Sequence, residues 1–228
     1  QSEDALLLQR YERLRGQGRH RSLSVISRSP GGAVERAGRS LLNLSSNDYL
    51  GLGADEQLLR AFLSETPEPF LDERGMTASS SRLLTGTGPA GAALEEELAA
   101  LYGGRECCVF SSGYHANLGI LTALGRKGDL FLSDRLNHAS IIDGMRLSEA
   151  AHRRYRHRDY GHLEDLLRAA AGGPGRTFIV TESVFSMDGD LADLPALVRL
   201  KERFGATLIV DEAHAVGVFG DSGRGLAE

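Results

Sequence analysis

From about residue 106 onward, short apolar runs alternate with amphipathic stretches, and that alternation restricts the fold more than any other feature of the chain. "ECCVFSS" (106–112) reads as a strand and 114–125 as a helix. "DLFLSD" reads as a strand, 138–150 and 162–171 as helices, "RTFIVTES" as a strand, 194–204 as a helix and "ATLIVDEA" as a strand. Apolar strands separated by amphipathic helices predict βαβ units and a mainly parallel sheet. In such sheets ligands gather at the carboxyl ends of the strands. The unusual residues fall there: Ser111-Ser112-Gly113, the stretch 134–138, the stretch 182–188, and Asp211 to His214. That coincidence marks a site more firmly than any single motif.

Upstream, "EDALLLQRYERLR" (3–15) predicts an amphipathic helix, and "GQGRHRSLSVI" a loop entering an extended segment. "RSLLNLSSNDYLGLG" predicts a short strand and a polar turn ending in glycines, and helices are expected at 55–64 and 90–102. At 228 residues one large domain is expected rather than two. A hydrophobic share of 41% and a charged share of 25% fit a globular protein in water, and a net charge of −5 gives no basis for general nucleic-acid binding. With no signal peptide and no apolar run long enough for a membrane span, the cytoplasm is the expected compartment. The only cysteines, Cys107 and Cys108, are adjacent; on a strand they would point to opposite faces, so they form no disulfide framework.

Several chemistries compete for these motifs. "VDEAH" at a strand end suits a helicase-type ATPase, in which the acids hold magnesium. Such an enzyme also needs a P-loop lysine, and the two lysines, Lys127 in "LGRKGD" and Lys201 in "RLKERF", lie in no such motif. Gly86-Thr87-Gly88-Pro89-Ala90-Gly91 matches the dinucleotide pattern G-x-G-x-x-G, but "ASSSRLL" before it is a poor strand. A glycine-rich approach to the 90–102 helix explains the same residues. His115, His138 and His214 lie near strand ends without metal-ligand spacing, so no metal is expected. "VFSSGYHANLGIL" is the more specific signal. Serines and Gly113 lead into a helix whose first N–H groups form an anion site without lysine, although a serine-capped turn would look the same.

Six strings appear in order: "LSSNDYLGL", "SRLLTGTGPAGAALEEELA", "VFSSGYHANLGIL", "SDRLNHASIIDG", "TESVFSMDGDLADLPAL" and "VDEAHAVGVFGDSGRGLAE". Together they resemble the α-oxoamine synthases, pyridoxal 5′-phosphate (PLP) enzymes of the aspartate-aminotransferase fold, from about residue 3 to the last. Within that family the strings are most similar to the branch that makes the aminoketone of biotin synthesis. The resemblance implies an α/β fold: a PLP-dependent transferase large domain with a mainly parallel sheet flanked by helices. It divides the chain into an N-terminal helix and arm (1–45) and a partial PLP-binding large domain (46–228), the C-terminal small domain being absent.

The same resemblance assigns residues. Asp211 pairs with the pyridine nitrogen of PLP, which turns the ring into an electron sink. His214 and Ser186 contact the phenolic oxygen, His138 stacks on the ring face, and Gly113 and Tyr114 donate backbone N–H groups to the phosphate. Asn47 lies near the amino-acid carboxylate and Arg21 near the acyl substrate, although Arg21 equally reads as a solvated loop charge. Glu182 matches an acid behind the cofactor, although it equally reads as a strand buttress, Asp188 reads as a turn residue, and Arg82 of "SRLLTG" serves a neighbouring site in a homodimer. The implied substrates are L-alanine and a pimeloyl thioester, on CoA or a carrier protein. Glycine C-acetyltransferase, serine palmitoyltransferase and 5-aminolevulinate synthase chemistries, or a catalytically inactive subunit, are the alternatives. The family's Schiff-base lysine is expected some 30 residues beyond the "DEAH" strand, past Glu228, so this stretch alone is expected to be inactive. No nucleic-acid or membrane partner is implied.

Overall fold

The computed structural model describes residues 2–28, 32–65 and 78–228. The chain divides into two compact units, Gln1–Glu56 and Gln57–Glu228.

In the first unit, helix α1 (Glu3–Gly16) starts at Ser2, whose hydroxyl accepts the Ala5 N–H at 3.3 Å. Glu3 and Asp4 in the first turn and Arg13 and Arg15 in the last complement the helix dipole. Strands β1 (Ser27–Arg28), β2 (Ala33–Arg36) and β3 (Arg39–Leu42) form an antiparallel sheet in that order. β2 and β3 are joined through Ala37-Gly38, both at positive φ, as a two-residue hairpin turn demands. The expected short strand at 39–42 and the polar turn after it are both present.

The second unit begins with most of α2 (Glu56–Glu65) and continues with α3 (Pro89–Leu101), α4 (Gly113–Leu124), β4 (Leu130–Asp134), α5 (Ala139–Leu147) and β5 (Ala151–Tyr155). It ends with α6 (Tyr160–Ala170), β6 (Thr177–Glu182), α7 (Leu194–Phe204) and β7 (Thr207–Asp211). The four strands pair in the order β5-β4-β6-β7, all parallel, which is the sheet expected from the alternation. Period-2 alternation sends successive side chains to opposite faces. Leu132 and Ile179 join Leu163, Leu167, Leu194 and Leu197 under α6 and α7. Phe131, Phe178 and Val180 join Leu121, Ile141 and Met145 under α4 and α5. The rings of Phe131 and Phe178 sit 5.0 Å apart on that second face. Helices on both faces of a parallel sheet make this a doubly wound α/β layer.

Two expectations are corrected. Residues 106–112 form no strand. The backbone at Val109 is satisfied by side chains instead: its carbonyl accepts from Arg82 Nη1 at 2.5 Å and its N–H donates to Glu95 Oε1 at 2.6 Å. The glycine pattern at 86–91 leads into α3 with a single turn at Arg82–Gly86 before it and no strand, so the dinucleotide reading loses its structural context. The sheet also contains β5, which the sequence did not announce. Four of its five residues are exposed, as an edge strand allows.

Ile179 is fully buried on a central strand. Ile179→Val removes one methylene and is expected to cost about 1 kcal/mol in urea unfolding. The same one-carbon trim at exposed Ile26 should leave the midpoint unchanged within error. Equal effects at both positions would contradict the packing described.

Candidate active site

The carboxyl ends of β4, β6 and β7 and the amino ends of α4 and α5 converge on one cluster. β6 and β7 run in register so that Glu182 pairs with Asp211 at their last positions. Just beyond β4, Asn137 is buried, and its side chain continues the sheet's bonding where the strands stop. Its amide nitrogen donates to Val180 O at 2.8 Å and to Ser133 Oγ at 2.9 Å, and its oxygen accepts the Glu182 N–H at 3.0 Å. That fixes the next residue, His138, which caps α5.

His138 Nδ1 receives the Ser140 N–H at 3.2 Å and lies 2.7 Å from Ser140 Oγ. A ring nitrogen facing an N–H donor bears its lone pair, so the neutral imidazole carries its hydrogen on Nε2. The His138 backbone N–H donates to Glu182, as does the Ser186 N–H. Glu182 is 3% exposed. Burial, with Asp211 adding like charge beside it, pushes its carboxyl up to about 7, against the pull of those two N–H donors.

Asp211 is partly exposed, at the end of β7, which lies at an edge of the four-stranded sheet. Its Oδ1 accepts the Ala213 N–H at 2.9 Å and its Oδ2 accepts from Asn117 Nδ2 at 2.8 Å. Asn117 also donates to Ser140 Oγ at 2.9 Å. Three hydrogen bonds therefore join Asp211 to His138. His214 follows in the turn after β7, partly buried and beside the fully buried Ala215.

Helix α4 opens at this end of the sheet. Its cap is Ser112, whose hydroxyl accepts the His115 N–H at 3.2 Å, and His115 Nδ1 sits 3.1 and 3.0 Å from the Ser111 and Ser112 hydroxyls. The Gly113 and Tyr114 N–H groups have no carbonyl within their own helix, which leaves a positive helix end suited to an anion. Tyr114 OH donates to Asp143 Oδ2 at 2.6 Å, and that bond raises its phenol above the ordinary range. α4 and α5 approach closely because position 144 is glycine: a Cβ there would lie 2.9 Å from the Asn117 carbonyl oxygen and 2.9 Å from Leu121 Cδ1.

The loop after β6 is held from below. His157 bridges Asp134 Oδ1 at 2.9 Å and Asp190 Oδ2 at 2.8 Å, with its ring edge-on to Phe185 at 4.5 Å. Burial works against its protonation, yet the two carboxylates outweigh it and raise the imidazole above its usual range. Ser186 and Asp188 are exposed on the turn this clamp anchors, which is closed by Gly189 N–H to Phe185 O at 2.8 Å. Asp188 is a turn residue, as its sequence context suggests.

The structure thus brings His138, Asp211, Ser186 and Glu182 together, with His214 one turn from Asp211 and Gly113 and Tyr114 leading the helix that carries Asn117. Arg21 and Asn47 are exposed and belong to the first compact unit. Arg82 is tied to Glu95 at 2.8 Å. Asn117, Ser140 and His157 were not legible as site residues. The nearest signal for Asn117 was a polar side chain one turn past Gly113 in a mostly apolar helix. Among the described residues no group of His, Cys, Asp and Glu is arranged for a metal ion, and no helix is long and apolar enough to cross a membrane.

The parallel sheet, with an acid at one strand end, a histidine capping one helix and the open amino end of another, has the fold of the PLP-dependent transferases of the aminotransferase class. A model of the family "Aminotransferase class I and II" matches residues 39–227, and the chain belongs to that family. PLP is its cofactor. Within the family, its similarity is to α-oxoamine synthases. The chain is 59% identical over 218 residues to the 8-amino-7-oxononanoate synthase of Chlorobaculum parvum, covering 95% of this chain and 56% of that protein. The serine palmitoyltransferase structure of Sphingomonas wittichii superposes with a TM-score of 0.84 at 34% identity, covering 98% of this chain and 55% of that one. A serine palmitoyltransferase of S. paucimobilis solved with PLP and myriocin bound gives 0.83 at 32% identity, covering 97% and 55%. The chain therefore spans about half the length of the relatives it matches.

The residues present fit PLP. Asp211 offers a carboxylate with each oxygen already held by one donor, His138 offers an exposed ring, and α4 offers a bare helix end for a phosphate.

Proposed function

We propose that this chain forms the cofactor-binding part of an enzyme that condenses L-alanine with a pimeloyl thioester, on CoA or a carrier protein. The products are CO2, free thiol and the aminoketone used in biotin synthesis. The observation that carries the reading is the linked Asp211–Asn117–Ser140–His138 cluster at the mouth of α4, in a chain 59% identical to an enzyme named for that product.

When bound, PLP supplies an electron-withdrawing ring that stabilises negative charge at the amino acid's Cα. The chain's own groups do the rest. Asp211 would hold negative charge toward the ring nitrogen, and the α4 amides of Gly113 and Tyr114 would hold the phosphate. His138 would lie against the ring and shield it from water. His214 and Ser186 hold the phenolic oxygen, Asn47 orients the substrate carboxylate, and Arg21 faces the acyl chain. Residues 1–45 serve as the arm and 46–228 as the large domain, within a homodimer. In the net reaction the amino acid's carboxyl leaves as CO2 and the thioester's thiol is released as the new C–C bond forms, so no oxidant is needed.

Neither lysine sits at the reactive end of the sheet. Lys127 lies in the turn before β4, and Lys201 lies in the last turn of α7, which leads into the start of β7. Both are at the amino ends of the strands, whereas Asp211 is at a carboxyl end. A lysine elsewhere in the polypeptide is therefore part of the proposal. Residues 1–228 alone, mixed with PLP and borohydride, are expected to yield no adduct on Lys127 or Lys201.

The test is an assay of the complete polypeptide with L-alanine and a panel of acyl thioesters. CO2 and free thiol are expected in equal amounts, fastest with the pimeloyl chain. Pyruvate formation without thiol release would make the protein an ordinary aminotransferase. Absence of any turnover, with PLP bound, would favour the non-catalytic subunit.

A further inference from the structure

We propose that Asn117 is the positioning residue of the cofactor site, its one amide nitrogen holding the Asp211 carboxylate and, through Ser140, the His138 imidazole as a single unit. The proposal rests on the PLP reading above.

The orientation of the Asn117 amide follows from its partners. A carboxylate only accepts, so the atom facing Asp211 Oδ2 at 2.8 Å is the nitrogen. That nitrogen has two hydrogens, and the second points to Ser140 Oγ at 2.9 Å. Ser140 is fully buried. With its oxygen occupied by an incoming hydrogen, its own hydrogen goes to His138 Nδ1 at 2.7 Å. Each donor in this chain thus has one assigned acceptor, running from α4 to the carboxyl end of β7 in one direction and to the start of α5 in the other.

Asn117 is the right residue to carry that link. It lies four residues, one helical turn, after Gly113, so the helix whose amino end serves the phosphate also carries it. Its backbone carbonyl lies against α5 at Gly144, where a Cβ would come within 2.9 Å of it, so the helix carrying Asn117 is held close to the helix carrying Ser140. With the Ala213 N–H on its other oxygen, Asp211 is clamped at both ends of its carboxylate before any ligand arrives. Without Asn117 one carboxylate oxygen loses its donor and the side chain can turn toward water.

The test is a double-mutant cycle read in the PLP dissociation constant, by equilibrium dialysis with the complete polypeptide. Asn117→Leu is expected to raise Kd about tenfold, the loss of one hydrogen bond to a charged group. In an Asp211→Ala background the same substitution should change Kd by less than about twofold, because the group it positions is gone. Ser140→Ala should weaken binding about threefold, since only the His138 arm is cut. A general packing defect would lower affinity equally in both backgrounds, and that result would overturn the proposal, as would an unchanged Kd in Asn117→Leu. If Asn117→Leu does not fold, Asn117→Asp keeps the shape and replaces a donor with a like charge, and a loss larger than tenfold is then expected. A wild-type protein that fails to bind PLP would instead sink the cofactor reading, together with this proposal.

Discussion

Asp211→Asn in the complete polypeptide is expected to lower kcat/KM by about 10³-fold, equivalent to ~4 kcal/mol of transition-state stabilisation. The substitution keeps the shape of the side chain, and its oxygen can still accept from Ala213 or Asn117, so the fold should be unaffected. What disappears is the negative charge, and a neutral amide cannot hold a proton on a heteroaromatic nitrogen facing it. The loss should appear in kcat more than in KM, because the interaction matters most when charge is moving into the ring. Asp188→Asn supplies the control: it neutralises an exposed carboxylate on the turn after β6 and should leave kcat/KM within about twofold. Retention of more than a tenth of wild-type activity in Asp211→Asn would mean that this carboxylate is not the charge partner.

The way β7 is placed explains why such a group is available for chemistry. A carboxylate buried as deeply as Glu182, one strand away, shifts toward its neutral form even with two N–H donors. Asp211 lies at the end of an edge strand, partly exposed, and two N–H donors meet its oxygens. Two acids at matched positions of adjacent strands therefore sit in different surroundings. One is open to a ligand, and the other accepts the backbone N–H groups of His138 and Ser186.

What the sequence revealed tracks how local each signal is. α7 occupies the expected 194–204 because its signals sit within a few residues: the Asp193 carboxylate accepts the Ala196 N–H at 2.9 Å, proline follows in the first turn, and Gly205 adopts the left-handed conformation that closes the helix. The strand assigned to 106–112 failed because apolar content says nothing about whether a neighbour exists to pair with; here Arg82 and Glu95 take the ladder's place. β5 was missed for the opposite reason, since "AHRRY" pairs well at an edge while looking like a solvated loop. In the site, Asp211, His138 and His214 stood out as polar residues ending apolar runs. Asn117 and Ser140 did not, because an asparagine inside a helix gains meaning only when a residue 94 positions away is brought within 2.8 Å of it.

Glu182 leads to the second large effect, on stability rather than rate. Its folded carboxyl sits at about 7 against 4.5 for the free group, so between those values the folded protein holds a proton that the unfolded chain has released. Stability from this group is accordingly full below pH 4.5 and is lost as pH rises through about 7. The difference corresponds to about 3 kcal/mol. Glu182→Gln should remove that loss: its amide oxygen can still accept the His138 or Ser186 N–H, and it never ionises beside Asp211 and Asp134. Urea unfolding of the cofactor-free protein at a series of pH values is the measurement, with the variant gaining on wild type from pH 5 to 7.5 and the gap levelling above that. Taking the difference between the two profiles cancels His157, whose raised imidazole also lends stability that fades with rising pH but is present in both proteins. Parallel profiles would show that Glu182 is already charged when the protein folds. Its oxygens would then be better solvated than a side chain 3% exposed allows, and the tight seat beneath His138 would have to be redrawn.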